Sequence, residues 1–351
     1  TGTILTYANL SGVNLDGVDL SNQDLTGTIL KDAKKIEINI KNPSNLNWSE
    51  LNEMNVTRYD LNGEVQYLGT KEGLLYEFKN NELKLVLDLN KNTKLPFDNS
   101  AIETGLLGIA SKNKLVYVSY TTKVSNELHS LVVNEYSLNF SKVRNIIKID
   151  GFQPKHFGGS LLFDNLGELY LSVGDGNKTD DFVNKDSQNL NSLRGKILRL
   201  NLLMPEEEPE ILAYGIRNPW GVTIDSNNRM FILQCGQHNV EAVYLLNDLY
   251  SDNPVNFGWP VFEGSTRIRK EDSLMFKDVL APIFEYNNRP GCITGGVYLD
   301  NLEAFLIADF YGTIRLLKEK ENGEWYLLHE DKQERAAIWG LGLDKKTKKI
   351  F

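Results

Sequence analysis

The sequence predicts an all-β chain: a six-bladed β-propeller preceded by a short N-terminal segment that winds with a period of five residues. Three observations predict it. Short apolar runs of four to seven residues, rich in Tyr, Val, Ile and Leu, recur from about residue 56 onward. Gly, Asn and Asp turns of hairpin type separate them, and no 3.6-residue apolar period lasts long enough for a core helix. Ahead of them, leucine returns at every fifth position.

The leucines are Leu5, Leu10, Leu15, Leu20, Leu25 and Leu30, in frames such as Ala8-Asn9-Leu10-Ser11-Gly12 and Val13-Asn14-Leu15-Asp16-Gly17. This period fits neither a helix nor a strand, so it needs a structure whose own corner repeats every five residues. The frame resembles the pentapeptide-repeat family, whose units form the sides of a square, right-handed β-helix. The resemblance implies a spacer or association surface over residues 1–34, since such arrays carry no chemistry of their own. So few units make a short solenoid, so the expectation is that the array continues before residue 1 or packs against a neighbour, with self-association left open. Residues 35–55, with Pro43, Ser44 and Asn45-Leu46-Asn47, read as a linker.

Residues 56–351 are the expected propeller. Its strands include Val65–Leu68, Leu74–Phe78, Lys84–Leu87, Leu115–Tyr120, Glu168–Val173, Lys196–Leu200 and Met230–Leu233. Hairpin signals stand at Leu61-Asn62-Gly63, Lys79-Asn80-Asn81, Asn165-Leu166-Gly167 and Glu321-Asn322-Gly323. Evenly spaced short strands over this length exceed one sandwich, and at about 50 residues per four-stranded blade they give about six blades.

Composition narrows the partners. With 38 Lys and Arg against 47 Asp and Glu, the net charge is −9, which disfavours nucleic acid and anionic membrane surfaces. A 41% hydrophobic and 10% aromatic content belongs to a folded chain rather than a disordered one. The two cysteines, Cys235 and Cys292, exclude a disulfide framework and a Cys-rich zinc module, and leave a single bridge open. No apolar run is long enough to span a bilayer. Asn-x-Ser/Thr sequons at Asn9, Asn47, Asn55, Asn139 and Asn177 occur about as often as this composition gives by chance.

Propellers gather their functional residues on loops around the central channel, and three loops here look unlike simple turns. Pro154-Lys155-His156-Phe157-Gly158-Gly159-Ser160 sets one of four histidines beside a double glycine. Ser172-Val173-Gly174-Asp175-Gly176-Asn177 holds an aspartate between glycines after a strand. Tyr214-Gly215-Ile216-Arg217-Asn218-Pro219-Trp220-Gly221 puts a cation and an amide in a Gly/Pro turn, where Arg suits an anion or oxygen; read alone, it is equally a turn tying two blades together.

These loops occur in order with Leu193-Arg194-Gly195-Lys196-Ile197-Leu198-Arg199 and Asn256-Phe257-Gly258-Trp259-Pro260. Glu103-Thr104-Gly105-Leu106-Leu107-Gly108 and Ile293-Thr294-Gly295-Gly296-Val297-Tyr298 add to the series. Together, from about Val56 to Phe351, they resemble the glucose/sorbosone dehydrogenase family of six-bladed propellers that use pyrroloquinoline quinone and calcium. The resemblance implies His156 as general base for a sugar hydroxyl, with Asp175 orienting its imidazole. It implies Arg217, Asn218, Glu103 and Arg335 as cofactor-binding residues, and the Gly236-Gln237 turn as the calcium site, oxygen ligands being what calcium requires. The implied partners are a small sugar and an external electron acceptor, and the implied location is extracellular, periplasmic or at the cell surface.

Three positions depart from the family's pattern, one of them near Gln333-Glu334-Arg335-Ala336, where an Arg-x-Arg pair is reduced to one Arg with an added acid. Phe310, in Ile307-Ala308-Asp309-Phe310-Tyr311-Gly312, stands where a soluble glucose dehydrogenase has a lysine for the quinone's carboxylates. Glu103 replaces a glutamine and would have to meet an anionic cofactor protonated or metal-bound. Two functions therefore follow: quinone-dependent oxidation of an aldose or related sugar, or a non-catalytic propeller used for binding, adhesion or assembly.

Overall fold

The computed structural model describes residues 56–350, except 62–64, 81, 93–95, 178–180, 182–184, 238–239, 271–277, 288–290, 333–337, 339, 342 and 345–348. The repeat segment, the linker and Arg335 lie outside the described residues.

Twenty-five strands follow in order. The first blade is β1 (Val56–Asp60), β2 (Gln66–Thr70), β3 (Leu74–Lys79) and β4 (Glu82–Asp88). The second is β5 (Leu106–Lys112), β6 (Leu115–Lys123), β7 (His129–Ser137) and β8 (Lys142–Phe152). The third is β9 (Gly158–Phe163), β10 (Leu169–Val173), β11 (Lys196–Leu200) and β12 (Glu210–Tyr214). The fourth joins β13 (Pro219–Ile224), β14 (Met230–Gln234) and β15 (Glu241–Leu246) to a later strand. Before that strand the chain makes an excursion through β16 (Val255–Asn256), which pairs in parallel with β12, and the ribbon β17 (Phe262–Glu263) and β18 (Thr266–Arg267). It returns as β19 (Phe284–Tyr286) to complete the blade. The fifth is β20 (Ile293–Leu299), β21 (Ala304–Asp309), β22 (Thr313–Glu319) and β23 (Trp325–Lys332).

The described residues thus form five four-stranded blades, not the six expected. Dividing length by a mean blade size overcounts here, because the β10–β11 loop and the excursion before β19 consume chain without adding blades. At the sixth position around the axis, Gly340 and Leu341 pass beside β20 and β1: a Cβ on Gly295 would fall 2.3 Å from the Leu341 amide nitrogen, and one on Gly340 3.6 Å from Tyr59. Among the described residues beyond them is the two-stranded ladder β24 (Leu343–Asp344) and β25 (Lys349–Ile350).

The apolar runs are explained by where the core sits. Sheets stand face to face, so middle strands are buried on both sides and alternate between two cores. On β10, Leu169 and Leu171 pack toward the second blade with Leu131, Val133 and Phe157, while Tyr170 packs toward the fourth with Ile232 and Tyr244. On β14, Met230 and Ile232 face the third blade, and Phe231 and Leu233 face Phe305 and Ile307 of the fifth.

In every blade, the register between first and second strands slips at the leading end, at Val56/Arg58, Leu106/Gly108, Leu171/Val173, Pro219/Gly221 and Ile293/Gly295. Such bulges re-aim side chains beside functional sites. The first strands line a central cavity of about 350 Å³. Within it, Arg58 lies over the Trp220 ring at 5.1 Å and donates to the carbonyls of Leu107 and Thr57. Burial pushes its guanidinium down to about 10.

Candidate active site

The loops that lead into the first strands of blades two, three and four converge on His156. The backbone here adopts a left-handed conformation, φ 53° at His156, uncommon for a residue with a side chain and typical of strained functional loops. Gly174 makes this possible: a Cβ there would come within 2.0 Å of the His156 carbonyl oxygen. The two loops instead bond directly, Gly174 N–H to Phe157 O at 3.0 Å and Gly176 N–H to His156 O at 3.2 Å.

His156 and Asp175 are both buried, at 3% and 0% exposure, with Nδ1 and Oδ1 2.8 Å apart. A carboxylate accepts only, so Nδ1 carries a proton toward Asp175, and in the neutral ring this leaves the lone pair on Nε2. Asp175 Oδ1 also accepts the Asn177 amide at 3.1 Å, and Oδ2 accepts the Trp259 indole N–H at 2.8 Å. The Asp175 amide donates to the Arg217 carbonyl at 2.8 Å, which ties the dyad to the next loop.

Glu103 belongs to this cluster as a tie between loops: its Oε2 accepts the His156 amide at 2.7 Å and the Asn218 side-chain amide at 3.1 Å. Arg217 donates through Nη1 to the carbonyls of Gly236 (2.8 Å) and Cys235 (3.2 Å), and its guanidinium lies 5.6 Å from the Trp259 ring centre. Burial pulls the Arg217 pKa down, against the charges of Asp175, Glu103, Glu263 and Glu241. Arg217 Nε and Asn218 Oδ1 are buried with no hydrogen-bond partner among the described residues. The Gln237 amide donates to Glu263 at 2.6 Å.

A network backs the dyad. Asn177 Nδ2 donates to Asp181 at 2.9 Å, and Asp181 accepts the amides of Asp186 (2.9 Å) and Ser187 (2.6 Å). Burial pushes Asp181 up to about 6, with the Asp175 charge adding to it. Lys196, fully buried, donates to the carbonyls of Asp186, Ser187 and Arg194 at 2.7–3.0 Å, and burial draws it down to about 7.

Two residues, Trp259 and Glu241, were invisible to sequence reasoning as site components, and the single bridge it left open is formed. Trp259 stood within a quoted motif but reads as a packing aromatic. Cys235 and Cys292 form a disulfide between the end of β14 and the start of β20. Glu241 lies beside it, accepting the amides of Gly236 (3.3 Å) and Ile293 (3.1 Å), and burial pushes it up to about 7. Cys235, Cys292 and Glu241 crowd together, but sulfurs joined to each other do not ligate a metal.

The implied groups can be tested against these residues. An unused buried N–H on Arg217 beside an unused buried carbonyl on Asn218 fits a ligand that brings both an acceptor oxygen and a ring N–H, which an ortho-quinone with a pyrrole ring does. Calcium does not fit the described turn: the Gly236 carbonyl already accepts from Arg217, so a dication would sit against a guanidinium. Phe310, whose amide donates to Cys292 O at 2.9 Å, brings no cation, and its ring lies edge-on to Tyr311.

The fold is a β-propeller with a cluster of buried polar residues around His156. The chain belongs to the glucose/sorbosone dehydrogenase family, which matches residues 65–305, and residues 1–34 match pentapeptide repeats in eight copies. The HIPL1 protein of Arabidopsis thaliana is 29% identical over 233 residues, covering 53% of this chain and 31% of that one. The aldose sugar dehydrogenase YliI of Escherichia coli K12 is 29% identical over 140 residues, 35% of each chain. Human Hedgehog-interacting protein is 30% identical over 160 residues, 35% of this chain and 23% of that one. This chain thus spans about a quarter to a third of the length of these relatives. The same fold recurs in the PQQ-bound aldose sugar dehydrogenase of Streptomyces coelicolor, with a TM-score of 0.59 at 18% identity over 82% of this chain and 86% of that one. It recurs again in the holo PQQ domain of pyranose dehydrogenase from Coprinopsis cinerea, at 0.53 and 14% over 81% and 80%. No helix among the described residues is long and apolar enough to cross a membrane.

Proposed function

We propose that this propeller oxidises an aldose or related sugar using pyrroloquinoline quinone. The observation that carries the reading is the buried His156–Asp175 dyad at 2.8 Å, facing a guanidinium and an amide with unused hydrogen-bonding capacity. Asp175 holds the imidazole with its proton on Nδ1, so Nε2 accepts the proton of the sugar hydroxyl, and the buried carboxylate stabilises the imidazolium that forms. Arg217 and Asn218 would hold the cofactor, where the guanidinium would offset the negative charge of its reduced form. When bound, the quinone supplies a two-electron acceptor for the hydride leaving the sugar's C1. Glu103 sets the spacing between His156 and Asn218 instead of contacting the cofactor through a free carboxylate. Electrons leave to an external acceptor, and the Cys235–Cys292 bridge suits an oxidising compartment outside the cytoplasm. The repeat segment serves as a surface for self-association.

A second reading is a binding propeller without redox chemistry. Phe310 in place of a cation favours it, as does kinship with a protein named for binding Hedgehog. Titrating the full chain with the quinone, with and without calcium, separates the two. The first reading expects binding at micromolar concentration and the reduced-cofactor absorbance on adding aldoses. Absence of binding under both conditions sinks it and leaves the second.

A further inference from the structure

Two halves of the site are held by different parts of the chain, the dyad by blade three and Arg217 by the loop before blade four, and one side chain from outside both touches each. Trp259 lies in the excursion between β15 and β19, fully buried. Its indole N–H donates to Asp175 Oδ2 at 2.8 Å, and the Arg217 guanidinium lies 5.6 Å from its ring centre. Its backbone is fixed on both sides: the amide donates to Gly215 O at 2.9 Å, and the carbonyl accepts Ser187 Oγ at 2.9 Å and Gln188 Nε2 at 2.7 Å.

We propose that Trp259 is a positioning residue that sets the register of the His156–Asp175 dyad against Arg217. The reasoning is geometric. Asp175 Oδ1 already serves His156 and the Asn177 amide, so free rotation of the carboxylate would offer His156 either oxygen at varying angle. A charge-assisted indole bond to Oδ2 removes that freedom. The same ring presents its negative face to the guanidinium, an attraction strengthened by desolvation. A core tryptophan needs only a partner for its N–H; this one takes the single carboxylate that also orients the histidine. As a role in catalysis, the proposal rests on the dehydrogenase reading above, but its structural content does not.

The test is ¹⁵N NMR of the ring nitrogens in the full, cofactor-free chain. The chain has four histidines, so His156 is assigned by its loss in His156→Gln. Wild type is expected to show one tautomer, with the proton on Nδ1. In Trp259→Phe, which keeps an aromatic ring and deletes the donor, the proton stays on Nδ1, but the Nδ1–H resonance is expected to move upfield and broaden as the carboxylate loses its fixed orientation. A His156 resonance unchanged in position and width overturns the proposal. Should Trp259→Phe not fold, the Trp259 indole N–H decides: it lies downfield and protected in wild type and moves upfield in Asp175→Asn, and failure to move overturns the proposal. Supplied with quinone and aldose, Trp259→Phe is expected to lose about tenfold in kcat, with KM for the sugar changed by less than about threefold. An inactive wild type sinks the dehydrogenase reading alone, and the NMR arms still decide Trp259.

Discussion

Asp175 and Asp309 occupy matching places, each at the site-facing end of the second strand of its blade and each buried, at 0% and 1% exposure. Their partners differ. Asp309 closes its own hairpin by accepting the amides of Tyr311 and Thr313 at 3.0 Å, and it meets Arg315 at 2.9 Å. Asp175 meets His156, and its other oxygen is held by an indole from a distant loop. Arginine stays charged at every working pH, so the Asp309 pair is static; histidine gives and takes a proton near neutrality, so the Asp175 pair can do chemistry. What the propeller repeats is a place for a buried acid, and the partner decides whether that acid builds or reacts.

Exchanging each acid for its amide separates the two roles. Asp175→Asn keeps the shape but can turn an N–H toward Nδ1, reversing the tautomer; turnover with quinone and aldose is expected to fall by roughly 10³-fold or more, with unfolding free energy lowered by about 1 kcal/mol. Asp309→Asn leaves Arg315 buried with Glu330 as its remaining ion-pair partner among the described residues, so it is expected to lose about 3 kcal/mol of stability and little turnover. Steady-state rates beside denaturant melts of both variants check this. If each loses activity and stability alike, the two aspartates are not functionally distinct.

How much of this was legible beforehand follows the same division. Strands such as Lys196–Leu200 were readable because burial on both faces makes near-continuous apolar runs, and His156, Asp175 and Arg217 because each sits in a Gly-rich loop no plain hairpin requires. The blade count was not, since the β10–β11 loop and the excursion before β19 look in sequence like more of the same turns. Glu103 was readable as unusual but not as a tie from His156 N–H to Asn218, because its partners lie 53 and 115 residues away. The partners of Trp259 could not be read, and the Cys235–Cys292 bridge could only be left open, for one reason: long-range pairing leaves no local pattern.

That disulfide marks a second contrast, between blades four and five, which it joins covalently, and the other blade interfaces, which among the described residues hold by apolar packing and hydrogen bonds such as Arg58 to Leu107 O and Ser172 to Pro219 O. It closes a sequence separation of 57 residues, so removing it by Cys235→Ser with Cys292→Ser is expected to cost roughly 2–4 kcal/mol. Denaturant melts with and without reductant check it. Wild type under reductant should then approach the double variant, whereas coincident curves for oxidised wild type and the variant would show the bridge adds nothing.

Glu241 gives the smallest and most pH-sensitive contrast: a third buried acid, neither paired like Asp309 nor coupled to a histidine like Asp175. Burial raises it from 4.5 to about 7, outweighing two amide donors and Arg217. Between those values the folded protein holds a proton that the unfolded chain has released. Its stabilising contribution is therefore full below the unfolded value and lost as pH rises through about 7. Asp181, raised to about 6, has the same sign lower down, and Lys196, lowered to about 7, makes stability rise with pH above that point. Both are shared by wild type and Glu241→Gln, so the difference between the two proteins isolates Glu241. From pH 6 to 8, wild type is expected to lose on the order of 1 kcal/mol more than Glu241→Gln. Parallel pH profiles for the two would mean that Glu241 is ionised throughout, its charge carried by the Gly236 and Ile293 amides and by Arg217.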